Sequence, residues 1–131
     1  MKQKTLFSDG IDYAQYNTND ELCELVNLSI NGTGIEGSIR CISKLADLEP
    51  HIIHFRDIHN DKEILVVSVP EGNIITDTSK IDEITKRMVQ QFAIQNAETL
   101  LRYWNDATYW YLEELRGTMR NLNKIDASKF I

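Results

Sequence analysis

The sequence predicts an α+β domain, in which an antiparallel sheet of four to five hairpin-connected strands is followed by two C-terminal α-helices. Residues 22–78 hold short alternating apolar runs separated by turn residues, and residues 79–124 hold apolar residues at helical three-and-four spacing. The length of 131 residues fits one domain. We therefore expect an N-terminal arm over 1–21, a β-sheet region, a two-helix region and a frayed tail over 125–131.

The first strand of the β region, 22–30, alternates apolar and polar side chains, which is the period-two pattern of a half-buried strand. Asn31-Gly32 follows it and predicts a hairpin turn, because both residues tolerate a positive φ. The return strand then covers 35–42, where Gly37 marks a bulge or a close approach.

The remaining β segments are shorter. We interpret 43–50 as a loop or a helical turn that ends at Pro50, and 51–58 as the next strand. The run 63–69 is apolar on both faces and predicts a central strand, whereas 74–76 is a short edge strand. A further short strand is expected in the arm at 4–7.

The helical region starts with a cap at Thr78 or Ser79, and Asp82 and Glu83 suit the positive end of the helix dipole. A break near Asn105-Asp106 separates the two helices. Because the link is short, they either lie together as a hairpin or merge into one kinked rod.

The composition limits the function classes. The formal net charge is −6, and residues 1–79 carry six Lys or Arg against thirteen Asp or Glu, which argues against general nucleic-acid binding. No apolar run approaches the length of a membrane helix and no secretory signal is present, so we expect a cytoplasmic protein. In that reducing compartment Cys23 and Cys41 are expected to be buried thiols rather than a disulfide.

His51, His54 and His59 are the only histidines, and they lie within nine residues. Residues three apart on a strand point to opposite faces, which disfavours a shared metal ion and favours histidines bonded to backbone or solvent. No nucleophile–base arrangement is recognisable. We therefore predict no cofactor, no metal and no enzyme activity.

A ligand-binding hypothesis comes from the helical arginines. Arg116 and Arg120 are four residues apart, so their guanidinium groups can hold a phosphate or carboxylate from one helix face. Arg102, Tyr109 and Trp110 would add a stacking surface for a base. The alternative is a solvated helix face with ordinary ion pairs.

An interface hypothesis comes from the aromatic residues at the bend between the helices. They carry more ring surface than one helix stripe can bury, so we expect some in the core and some in an exposed patch that mediates self-association. The residues expected there are Tyr103, Trp104, Tyr111, Leu115 and Met119. Phe130 and Ile131 would extend such an oligomer contact.

Residues 49–107 resemble a small bacterial domain family of unknown function, often encoded in loci like toxin–antitoxin modules. The resemblance is carried by Pro-His-Ile-Ile-His-Phe at 50–55, by Phe92, and by Ala-Glu-Thr-Leu-Leu-Arg-Tyr-Trp at 97–104. This chain departs from the family in one extra residue between the histidines, in Phe92 where the family has Trp, and in a helix beyond the family's usual end.

The layout of a sheet followed by two helices is also similar to phage proteins that sequester nucleotide immune signals. Together these features predict a non-enzymatic interaction or accessory protein of a bacterial defence, toxin–antitoxin or mobile-element system, self-associating through its C-terminal helices and able to take a protein partner. The alternative is a protein of phage counter-defence type that binds or sequesters a nucleotide or another phosphate-bearing signal.

Overall fold

A computed structural model describes residues 11–16, 23–43 and 48–130 of the chain. Within these ranges six strands form one antiparallel sheet whose order follows the chain. The strands are β1 (Ile11–Tyr16), β2 (Cys23–Leu28), β3 (Ser38–Ile42), β4 (His51–Phe55), β5 (Ile64–Ser68) and β6 (Ile74–Asp77). The α+β prediction is confirmed. The predicted strand number was too low, because the segment assigned to an arm contains β1; the strand expected at 4–7 lies outside the described residues.

The described helical elements are more numerous than the two expected. They are α1 (Ile30–Thr33), α2 (Glu83–Gln95), α3 (Ala97–Asp106) and α4 (Leu112–Met119), with 3₁₀ turns at Ala107–Tyr109 and Ala127–Phe130. Three α-helices therefore follow the sheet. The break expected near Asn105-Asp106 is present at the end of α3.

The hairpin predicted around Asn31-Gly32 is confirmed in its pairing, because β2 and β3 are antiparallel neighbours, but the tight Asn-Gly turn is wrong. These residues belong to α1, a single helical turn that ends at Gly34 with φ 77°. The backbone N–H of Ile35 then donates to Thr33 Oγ1 at 3.0 Å, within the loop that joins β2 to β3. The left-handed conformation needed for the reversal is therefore supplied by Gly34 rather than by Asn31-Gly32.

The first long helix begins and breaks at positions that the pattern did not indicate. Its N-cap is Asp82, whose carboxylate accepts from the Thr85 N–H at 2.7 Å, so the cap expected at Thr78 or Ser79 is wrong. The helix ends at Asn96, where φ −109° and ψ 16° leave the helical region before α3 begins. Apolar spacing continues through this kink, so periodicity alone did not reveal it.

The helices cover one face of the sheet. α2 contacts β5, α3 contacts β3 and the 3₁₀ turn at Ala107–Tyr109 contacts β2, so the C-terminal region crosses the sheet from one side toward the other. Alternate strand residues form the sheet side of the core, as the period-two pattern requires. Fully buried core side chains include Val26, Leu28, Ile39, Leu65, Val67, Val89, Phe92 and Leu115.

The C-terminal segment is packed rather than frayed, which corrects the expectation for the tail. Ile125 is buried, and its N–H donates to the Thr33 carbonyl at 2.8 Å. Phe130 is half-buried against the core, and the 3₁₀ turn Ala127–Phe130 contacts α2. The segment closes one side of the domain; Ile131 lies outside the described residues.

Candidate functional site

An open cleft of about 310 Å³ lies where the sheet end meets the start of α2. Three segments form it: the loop before β3, the end of β4 with the residue after it, and the turn that leads into α2. Its lining residues are Glu36, Gly37, His54, Arg56, Lys80, Ile81, Asp82 and Thr85. The volume is in the range of small-molecule sites.

His54 forms the buried wall of this cleft. The residue is 1% exposed, and its Nε2 lies 2.7 Å from the backbone carbonyl oxygen of Glu36. A carbonyl oxygen only accepts, so Nε2 carries the proton and Nδ1 presents a lone pair. Nδ1 is buried and has no hydrogen-bond partner among the described residues. Burial lowers the pKa of His54, although the bond to Glu36 opposes this, so the imidazole is neutral at pH 7.

Gly37 allows the loop before β3 to lie against His54. Its φ is 88°, and an added Cβ would overlap the carbonyl oxygen of Phe55 and lie 2.9 Å from His54 Nε2. A side chain at this position would therefore displace the imidazole or open the loop. The close packing predicted for Gly37 is confirmed.

Two cations stand at the cleft without an ion-pair partner. Arg56 and Lys80 are both exposed, and neither approaches an Asp or Glu of the described ranges closely enough to form a salt bridge. Arg56 follows His54 by two residues and continues the same face of the β4 segment beyond the strand end. Lys80 comes from the turn before α2, so the fold brings the two charges together across 24 positions of sequence.

The start of α2 adds polar backbone to the same wall. Asp82 caps the helix, and hydrogen bonds from the Thr85 side chain and backbone N–H hold the pKa of Asp82 below its ordinary value. N–H groups of the first helical turn have no intrahelical acceptor and carry the positive end of the helix dipole. Together with Arg56 and Lys80, this end of α2 is suited to hold a small anionic group, while Asp82 and Glu36 supply acceptors at the rim.

The residues predicted as an anion clamp lie elsewhere. Arg102 is exposed and its guanidinium lies 5.9 Å from the ring centre of Trp110, which is itself only 7% exposed. Tyr109 is 78% exposed, whereas Arg116 is half-buried on α4 and Arg120 is exposed at the C-terminal cap of that helix. None of these side chains lines the cleft at the start of α2. Because Trp110 is buried, little of its ring is available for a base to stack on.

The predicted interface residues are mostly internal. Tyr103, Trp104, Leu115 and Met119 are all 5% exposed or less, and the core of this chain already covers them. Tyr111 alone of the five is turned outward, with 54% exposure. The surplus ring surface expected from the sequence is therefore confined to Tyr111 and its neighbour Tyr109.

The other histidines are separated from His54. His51 Nδ1 lies 2.8 Å from the Glu49 carbonyl oxygen, and its ring packs against Trp104 with 5.3 Å between centres. His59 is exposed in the turn after β4. In the described ranges no three His, Cys, Asp or Glu residues are grouped as a metal site requires.

Only part of the cleft could be predicted from the sequence. Strand alternation in 51–58 places His54 and Arg56 on one face, but nothing local connects them with Lys80 or Asp82. No protein-family model, curated protein or solved structure matches this chain. The resemblance of residues 49–107 to the bacterial domain family therefore stays a prediction. Among the described helices, none combines the length and apolar character needed to cross a membrane.

Proposed function

We propose that this protein is a non-enzymatic binding module for a small anionic ligand, held in the cleft between the sheet end and the start of α2. The observation that carries the proposal is the presence of Arg56 and Lys80, two cations without ion-pair partners in the described chain, beside the buried His54. A concave site on which two cations converge favours a phosphate or carboxylate.

The ligand class follows from the size and polarity of the lining. A cleft of about 310 Å³ accommodates a small organic acid or a phosphate ester rather than a macromolecule. Ile81 is half-buried and offers an apolar contact beside the polar groups. This keeps the phosphate-bearing ligand expected from the sequence and assigns it to different residues.

Backbone amide NMR tests the proposal directly. We expect inorganic phosphate, acetate and propyl phosphate, titrated separately into the labelled protein, to shift signals saturably in the loop at 36–37 and in 80–85. Because the site is open and solvated, we expect weak binding, and a dissociation constant in the millimolar range is sufficient to support the proposal. The double substitution Arg56→Gln, Lys80→Gln should weaken binding at least tenfold.

A matched double substitution separates site charge from net charge. Arg87 and Lys124 are exposed and do not line the cleft, so Arg87→Gln with Lys124→Gln removes the same charge elsewhere. We expect this variant to bind like the unmodified protein. Shifts spread over the whole surface, or equal weakening by both double variants, would reject the proposal in favour of general charge attraction.

Self-association is a second candidate function, and the exposure of Tyr109 and Tyr111 favours it. The two rings are 78% and 54% exposed on either side of the buried Trp110, and exposed tyrosine is enriched at protein interfaces. We propose that a second copy of this chain covers them. This replaces the helix-hairpin interface expected from the sequence, whose other members lie in the core.

Light scattering during size-exclusion chromatography tests this candidate. We expect a dimer whose population falls on dilution, and we expect Tyr109→Ala with Tyr111→Ala to leave a monomer. The control is Ile30→Ala with Ile75→Ala, which removes exposed apolar surface elsewhere, since these residues are 48% and 54% exposed. A monomer across the micromolar range for the unmodified protein would reject self-association.

A further inference from the structure

The geometry of His54 points to a ligand that carries a hydrogen-bond donor, a hydroxyl or an amino group, next to its anionic group. We infer that Nδ1 of His54 accepts from this donor while Arg56 and Lys80 hold the acid. The inference rests on the proposed function and narrows it from any small anion to hydroxy acids, amino acids and phosphate esters of polyols.

The first step is the proton position on the imidazole. Nε2 lies 2.7 Å from the Glu36 carbonyl oxygen, which fixes Nε2 as the donor and leaves Nδ1 as an acceptor. Gly37 packs closely on this edge, where an added Cβ would lie 2.9 Å from Nε2. The tautomer is therefore set by the fold before any ligand arrives.

The second step is the lack of a partner for Nδ1. Buried polar atoms in native proteins are nearly always hydrogen-bonded, and an exception calls for an explanation in function or strain. His54 is 1% exposed, and Nδ1 has no partner among the described residues although the ring lines a cleft. A donor on a bound ligand would supply that partner after a small adjustment of the wall.

The third step is the charge pattern around the ring. The charged groups that share the cleft with His54 are Glu36 from the loop before β3, Arg56 after β4, and Lys80 and Asp82 from the start of α2. The two carboxylates would repel a ligand that is anionic throughout, yet they accept readily from hydroxyl or ammonium groups. A mixed lining of this kind fits a ligand with an acid at one end and donors beside it.

Matched ligand pairs test the inference on the unmodified protein. Glycerol 3-phosphate is compared with propyl phosphate, and lactate and alanine are compared with propionate. We expect the member with a hydroxyl or amino group to bind about tenfold more tightly, because it satisfies a buried acceptor that the other member leaves unpaired. Comparison of the phosphate pair with the carboxylate pairs shows whether the anionic group of the ligand is a phosphate or a carboxylate.

Imidazole nitrogen NMR gives a readout that needs no variant. We expect the proton to stay on Nε2 at pH 7, and the Nδ1 signal of His54 to move only with the hydroxylated or aminated ligands. Equal binding within each pair, with saturable shifts in the cleft, would overturn the inference while leaving the proposed anion site intact. Tighter binding at low pH, with a proton on Nδ1, would overturn it too, because His54 would then donate to the acid.

No binding by any member of the panel rejects the proposed function and this inference together. His54→Gln serves as a second check, because the NH2 of a Gln amide can still donate toward the Glu36 carbonyl while its acceptor oxygen does not occupy the position of the ring nitrogen Nδ1. In this variant the preference within each pair should fall to less than about twofold, while propyl phosphate and propionate keep their affinity.

Discussion

The side-chain amide of Asn96 forms two hydrogen bonds with the backbone of Asn123, in the way that neighbouring β-strands pair. Asn123 N–H donates to Asn96 Oδ1 at 2.6 Å, and Asn96 Nδ2 donates to the Asn123 carbonyl at 3.0 Å. Asn96 is 3% exposed and occupies the kink between α2 and α3, where Nδ2 also donates to the Phe92 carbonyl. The kink in the helical region is thus the point that fixes the C-terminal segment.

The substitution Asn96→Ala should therefore destabilise the fold strongly. It removes three hydrogen bonds and leaves the Asn123 N–H without its acceptor, although the Phe92 carbonyl keeps the Asn96 N–H and the Asn123 carbonyl keeps Gln95 Nε2. We expect this to cost about 2–3 kcal/mol in the free energy of unfolding. Urea unfolding measures the loss. The control is Asn121→Ala, at an exposed position, which should change stability by less than about 0.5 kcal/mol. Equal effects of the two substitutions would contradict this role of the Asn96 side chain.

Two glycines should respond to alanine with opposite signs. Gly34 has φ 77°, and a Cβ there would overlap the carbonyl oxygen of Ile125, so Gly34→Ala should cost at least about 2 kcal/mol. Gly117 lies inside α4 with nothing within 4 Å of an added Cβ, so Gly117→Ala should stabilise by about 0.5–1 kcal/mol. Thermal unfolding of both variants provides the measurement. A tolerated alanine at position 34 would show that the Ile125 segment does not dock there.

The elements that could be predicted are those whose own periodicity determines them. Alternation identified β2 and β4, and an apolar stripe identified the helical region, because each of these patterns reflects burial of one face. The continuous apolar run at 63–69 identified β5. The kink at Asn96 was missed since its cause is the backbone of Asn123, 27 residues away. In the same way, the turn at Gly34 depends on Ile125, which no local pattern relates to it.

The candidate site was less predictable for the same reason. Arg56 and Lys80 belong to unremarkable polar stretches, and only the packing of α2 against the sheet brings them to one cleft. For the aromatic cluster the error was the opposite one, because the sequence predicted exposed rings at positions that the structure buries. Tyr103 and Trp104 look like spare ring surface in the sequence, but both are buried, Tyr103 beside Trp110 and Trp104 against His51 of β4. The number of aromatic side chains predicts how much apolar surface the region has, and the topology of the chain determines which of those side chains are buried.

Cys41 should resist alkylation in the folded protein. It is 2% exposed, and burial raises the pKa of its thiol to about 12, so roughly one molecule in ten thousand carries a thiolate at pH 8. We expect iodoacetamide to label Cys41 in denaturing urea and to leave it unlabelled in buffer. Peptide mass spectrometry separates it from Cys23.

The register of the sheet gives a further reason for a free thiol, because Cys41 of β3 is paired with Val26 of β2, whereas Cys23 of β2 is paired with Tyr16 of β1. Rapid labelling of Cys41 in buffer would show that β3 is accessible.

The stability of the fold should fall between pH 7 and pH 5 because of His54. Burial lowers the pKa of His54 in the folded state, whereas in the unfolded chain it stays near 6.5, so the unfolded chain takes up the proton first as the pH decreases. Stability is therefore fully present above about pH 6.5 and decreases below it, by at most about 1.4 kcal/mol per pH unit, until the folded state is also protonated. The cleft also holds the cations Arg56 and Lys80 and the carboxylates Glu36 and Asp82, but burial is the main cause of the lowered pKa of His54.

The variant His54→Gln isolates this contribution, because Gln does not titrate and keeps a donor for the Glu36 carbonyl. Urea unfolding at half-unit steps of pH should give a flatter profile for this variant than for the unmodified protein between pH 7 and pH 5. The control is His59→Gln, at an exposed position in a turn, which should keep the full slope. Parallel profiles for the unmodified protein and His54→Gln would mean that the buried imidazole takes up its proton as easily in the fold as in the unfolded chain. The acceptor role of Nδ1 would then lose its basis.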